Sequence, residues 1–107
     1  MAWFIKTEFF TPQAKDLSLE IRRSHIARHR LWVSELNKQG IIALSGYLVD
    51  ENHVPGGGGL LILKADSYSI AKSIIKNDPI ILAELVTWEL HEFIQIIGPP
   101  IIESQRG

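Results

Sequence analysis

The strongest constraint on how this chain folds is that its candidate strands are apolar on both faces. In the segment 2–9 the residues alternate and are rich in aromatic and β-branched types, which reads as a strand. Trp3, Ile5 and Phe9 fall on one side of it, Phe4 and Phe10 on the other. In the segment 41–49, Ile41 and Ala43 oppose Ile42 and Leu44, interrupted by Ser45 and Gly46. A strand apolar on both sides is expected to be covered on both sides. One sheet face can be covered by the chain's own helices. The other then needs a second molecule, because an apolar face of that size does not stay wet. A homodimer packed through its sheet faces is therefore expected.

Local signals supply the rest of the order. Thr11-Pro12 breaks the first strand, and Asp16 or Ser18 can cap the helix that follows. That helix runs to about Gln39, where Gly40 provides the stop. Asp50 to Gly59, with Pro55 and the run Gly56–Gly59, reads as a flexible hairpin connection. It is not a phosphate cradle, since no Lys-Ser/Thr follows the glycines. Leu60 to Lys64 is a strand, and Ser67 caps a second helix with Ile70, Ala71, Ile74 and Ile75 as its buried stripe. Asn77 and Pro79 end it. Ile80 to Leu85 suits one more helical turn, Val86 to Ile97 is the last strand, and Gly98-Pro99-Pro100 ends regular structure. The resulting β-α-β-β-α-β order is that of two interleaved β-α-β units, an α+β fold. It forms a four-stranded antiparallel sheet with both helices on one face. The 107 residues make one domain, 1–107, with a tail at 98–107 whose Ile101 and Ile102 can pack on a partner subunit.

Composition removes several function classes. Hydrophobic residues make up 46% and charged residues 21%, which is the balance of a folded domain, not of a disordered tail. The net charge of −1 gives no global attraction to nucleic acid or acidic lipid, and Arg23, Arg28 and Arg30 read as a solvated helix surface. Cysteine is absent, so there is no disulfide framework and no thiolate nucleophile or ligand. The N-terminal residues are charged too early for a signal peptide, and no apolar run is long enough to span a bilayer. A cytoplasmic protein without nucleic-acid or membrane partners is expected.

The candidate chemistry lies on the first helix. At 100° per residue, Ile21, Ile26, Trp32, Val33 and Leu36 gather into one stripe, and Arg22, His25 and His29 project into it. Buried polar groups carry a desolvation cost unless something bonds them, so partners are to be sought. His25 is a candidate general acid or base, because imidazole titrates near neutral pH. His29, one turn on, makes a His-x-x-x-His spacing. No third ligand follows nearby, so no metal is expected. Arg22 can hold an anion by a forked hydrogen bond or pair with Asp78, Glu84 or Glu89. Ser45 and Tyr47 share one strand face and can contact a ligand. Ser45 lacks the sharp strand-to-helix turn of a serine hydrolase.

The run from Arg22 through His25 to Arg28, with Leu36 and Gly40, then Ser45-Gly46, the glycine turn before Leu60, Ala71 and Asp78-Pro79, resembles the YCII-related domain family. Tyr47 stands where the family often has proline, and Glu84 where a glycine is common. The resemblance implies a dimeric α/β barrel of ferredoxin-like subunits, with His25 and Asp78 as the catalytic pair and no cofactor. In that arrangement Asp78 would bond one imidazole nitrogen and raise the basicity of the other. Arg22, His29, Ser45 and Tyr47 would then meet a small anionic or aromatic ligand in a pocket between helices and sheet, and lyase or isomerase chemistry follows. A dimeric-barrel monooxygenase and a non-catalytic binding module are the alternatives.

Overall fold

The computed structural model describes residues 1–101. The elements run β1 (Ala2–Phe10), α1 (Pro12–Lys15), α2 (Leu19–Lys38), β2 (Ala43–Val49), β3 (Pro55–Ala65), α3 (Tyr68–Ile75), α4 (Pro79–Leu82) and β4 (Val86–Phe93). The sheet order is β2-β3-β1-β4, with every neighbouring pair antiparallel. This is the ferredoxin-like arrangement expected from the element order. Ile102, to which a partner contact was assigned, lies outside the described residues, as do residues 103–107.

Side-chain alternation along β1 divides the sheet into two faces. Phe4, Leu61, Leu63, Ala43 and Leu90 face the helices and are buried with Leu36 of α2 and Ala71 and Ile75 of α3. Each such burial of a large side chain contributes about 1.5–3 kcal/mol. A second cluster of Ala14, Ile80, Leu85 and Val86 packs α1, α4 and the start of β4 together, with Ile26 of α2 against it. The opposite face is open in the single chain. There Phe9, Leu44 and Leu48 retain 43–55% exposure. The two-sided apolar pattern of β2 is thus not covered on both sides within one subunit, because among the described residues α2 and α3 pack on the same face of the sheet.

The helix ends follow from their caps. The Ser18 hydroxyl accepts from the Ile21 amide, and Gly40 at φ 88° turns the chain out of α2. Asn37 then ties α2 to β2. Its amide donates to the Ala43 carbonyl at 2.9 Å, while its carbonyl accepts from the Ala43 amide at 3.2 Å. This two-bond clamp fixes the register of β2 against α2.

One expectation holds and gains detail, and another changes. Thr11-Pro12 ends β1 at Phe10, as expected. Thr11 caps the short α1, with Pro12 at its first position, where a missing amide costs nothing. The glycines Gly56–Gly59 belong to β3, not to the loop. Gly59 pairs with both Glu8 and Tyr47, and the turn is confined to residues 50–54, where the Asp50 carboxylate accepts from the amides of Asn52 and Val54. The reason for glycine is close backbone approach. A Cβ on Gly58, at φ 90°, would lie 2.4 Å from the Glu8 carbonyl oxygen.

Candidate active site

The site is assembled from four elements around one carboxylate. Asp78 ends the link from α3 to α4. Pro79 biases it to extended backbone (φ −59°, ψ 123°), and its side chain caps α4 by accepting from the Ile80 amide at 3.1 Å. The carboxylate has no exposed surface. His29 Nδ1 stands 2.9 and 3.0 Å from its two oxygens, and Lys6 Nζ donates to Oδ2 at 2.9 Å. Lys6 comes from the middle of β1 and is itself fully buried. It also donates to Glu8, two residues on along the same strand face. Burial pushes the Asp78 carboxyl up. The hydrogen bond from His29, with the charge and hydrogen bond of Lys6, outweighs that and holds it below its ordinary 3.8.

An ionised carboxylate only accepts, so Nδ1 of His29 carries a proton toward Asp78. In the neutral ring Nε2 is then a lone pair, and the Ser45 hydroxyl donates to it at 2.7 Å. The Asn37 clamp and the β2 register place Ser45 under this nitrogen. The result is a continuous chain, Ser45–His29–Asp78–Lys6–Glu8, in which one histidine is oriented at both nitrogens. Such an imidazole takes a proton at Nε2 while the buried carboxylate stabilises the cation that forms.

His25 is not the histidine on Asp78. It is half-buried, and its shielded Nδ1 has no partner among the described residues. The physical reason is depth along α2. Counted back from the Gly40 stop, His29 sits one turn nearer the β2 start than His25, which brings it over Ser45 and within reach of α4. Arg22 has a shielded, unpartnered Nε and forms no ion pair with Asp78, Glu84 or Glu89 among the described residues. Tyr47 is 66% exposed on the same strand face as Ser45. Glu84, in place of a glycine, adopts φ 57° and is exposed. Ser45 and Tyr47 also border a concavity on β2. This shallow concavity of about 150 Å³ lies along β2 and β3, lined by Leu44, Gly46, Leu48, Leu60 and Ile62 of the open face together with Ser45 and Tyr47.

Lys6 and Glu8 were missed from the sequence. Their signal was parity, since both alternate with Phe4 and Phe10 and therefore had to face the helices. Among the described residues no group of three or more metal-ligating side chains occurs, and no helix is long and apolar enough to cross a membrane.

A ferredoxin-like α+β domain with a histidine held between a serine and a buried carboxylate defines the class. The chain belongs to the YCII-related domain family, which matches it over residues 9–93. Among solved structures it is similar to 5-chloro-2-hydroxyhydroquinone dehydrochlorinase (TftG) from Burkholderia phenoliruptrix AC1100, in complex with 2,5-dihydroxybenzoquinone. That likeness has 21% identity and a TM-score of 0.63, covering 86% of this chain and 93% of that one. It is also similar to the de novo designed protein Ferredog-Diesel, at 10% identity and a TM-score of 0.55, over 85% and 84% of the two chains. At these identities the likeness concerns the fold. No curated protein matches the chain.

Proposed function

We propose that this protein is a small-molecule enzyme working by acid–base chemistry without a cofactor, and that His29, not His25, moves the proton. The observation that carries the reading is the doubly oriented imidazole: Nδ1 on the buried Asp78 carboxylate and Nε2 on the Ser45 hydroxyl. Asp78 fixes the tautomer and stabilises the imidazolium, and Lys6 keeps Asp78 ionised. Ser45 holds the place of a ligand hydroxyl, which would give its proton to Nε2 when it displaces or joins the serine. Lyase or isomerase chemistry on a small hydroxylated or aromatic molecule fits this inventory. The likeness to a dehydrochlorinase is in keeping with that class. Arg22 lies seven residues before His29, about 10 Å along the helix, so it serves at most the outer end of a ligand.

The open sheet face fits a second copy of the chain, giving the dimeric barrel. Its exposed Phe9, Leu44 and Leu48 support a dimer through the sheet faces. A binding module that catalyses nothing is the second reading, favoured by the small exposure of His29, 9%.

The test is a screen of small hydroxylated and halogenated aromatic compounds followed by proton NMR. A reaction that disappears in His29→Gln and survives in His25→Gln supports the proposal. A reaction that depends on His25 instead, or that ignores both, overturns it.

A further inference from the structure

Asp78 is saturated. Its oxygens accept from His29, Lys6 and the Ile80 amide, and no solvent reaches it. Glu8 is in a different position. One carboxylate oxygen is taken by Lys6, while Oε2 has no hydrogen-bond partner among the described residues, and the side chain keeps 12% exposure. Lys6 is thus one cation shared between two carboxylates, and the unshared negative charge lies at the outer one.

The sheet register says what Glu8 faces. Ser45 and Lys6 both pair with Leu61, and in the next row Tyr47 and Glu8 both pair with Gly59. Strands lie about 4.8 Å apart and alternate residues about 7 Å apart, so the two rows frame a patch roughly 10 Å by 7 Å. The buried Leu61 fills the inner row, while Gly59 leaves the floor of the outer row without a side chain of its own. A Cβ there would sit 3.0 Å from Glu8 Cγ and 3.2 Å from Oε2, so the Glu8 carboxylate leans over the bare backbone. Ser45 and His29 border the patch on one side, Tyr47 and Glu8 on the others.

We propose that Glu8 is the specificity-determining residue of the site. Through Oε2 it meets the ligand beside His29 and selects a neutral hydrogen-bond donor or a cation over an anion. This deepens the enzyme reading and rests on it for the position of the ligand, and it reverses the expectation of an anionic ligand held by Arg22. A donor offered to Oε2 gains a charge-assisted hydrogen bond, whereas a carboxylate or phosphate placed there meets like charge in a partly dry setting.

The experiment uses three probes of one ring and different charge: benzylamine, phenol and benzoate. Each is titrated into the full chain at neutral pH and followed by amide NMR shifts. Benzylamine and phenol are expected to shift the amides of Glu8, Tyr47 and Gly59 and to bind at least about tenfold more tightly than benzoate. In Glu8→Gln that preference collapses. In Gly59→Ala, which fills the floor and keeps the charge, all three weaken while their order stands. Equal binding of the three by the wild type, an order unchanged in Glu8→Gln, or no shift at those amides overturns the proposal. A charge order that persists in a protein with no His29-dependent reaction refutes the enzyme reading alone. A His29-dependent reaction with no charge order refutes this inference alone.

Discussion

Replacing Asp78 by Asn keeps the shape of the side chain and its cap on α4 while removing the charge that Lys6 and His29 were built around. Removing one partner of a buried ion pair costs about 3–5 kcal/mol, because the other charge stays buried and unpaired. Here Lys6 is fully buried and retains Glu8, so part of its compensation survives. The expected loss is therefore about 2–4 kcal/mol. A domain of this size loses about 4–8 °C for each kcal/mol, so Tm should fall by at least about 8 °C at pH 7. Thermal unfolding followed by circular dichroism reads this directly.

The dependence on pH separates the charge from the packing. The folded pKa of Asp78 lies below its ordinary 3.8. A depressed carboxylate contributes stability that is fully present above the unfolded value and is lost as pH falls through the folded one. The gap in Tm between wild type and Asp78→Asn should hold from pH 7 down to about 4 and close below that. Lys6→Met in the Asp78→Asn background should cost less than the two single changes added together, because the second removes the charge stranded by the first. A Tm shift under about 3 °C, or a gap that does not vary with pH, would refute the account of Asp78 as the ionised centre of the cluster.

Three further outcomes follow from other parts of the molecule. Ser45→Ala deletes the 2.7 Å contact at His29 Nε2 without stranding a buried charge. It should cost under about 1.5 kcal/mol while moving the Nε2 nitrogen resonance of His29, and an unmoved resonance would mean that the bond does not form in solution. Glu84→Gly relieves a left-handed backbone at φ 57° in an exposed residue, a relief of about 1–2 kcal/mol against an entropy cost of about 0.5–1. A small gain in Tm is expected, and a loss would show that the Glu84 side chain makes a stabilising contact. Ile62→Lys puts a charge in the centre of the open face, opposite Ile5 and Leu44. Sedimentation should show dimer for the wild type and monomer for the variant, and equal masses would remove the sheet face from the interface.

How much of this was legible depends on whether the information was local. Ser18, Gly40 and Ser67 act through their own backbone neighbours, so the sequence located the ends of α2 and the start of α3. Asp78-Pro79 was legible only as the end of α3; its cap on the Ile80 amide of α4 is seen in the structure. The glycines Gly56–Gly59 were misread because their cause is remote. A Cβ on Gly57 would meet Leu48 and one on Gly58 the Glu8 carbonyl and the Phe9 ring across the sheet, whereas composition alone assigns four glycines to a loop.

The choice between His25 and His29 shows where periodicity stops. Residues four apart share a helix face, so helical phase could not separate them. What separates them is axial depth, set by the distance back from Gly40 and by the Asn37 clamp on Ala43. The missed partners follow the same logic. Lys6 alternates with Phe4 on a strand whose helix-facing side is a core, so its ammonium had to find carboxylates there. One of them is Asp78, and an Asp78 already bonded by a buried lysine is a fixed acceptor that orients whichever histidine lies at its depth. Parity along β1 and depth along α2 are each ambiguous alone. Taken together with the need to pair a buried cation, they leave His29 as the imidazole that completes the site.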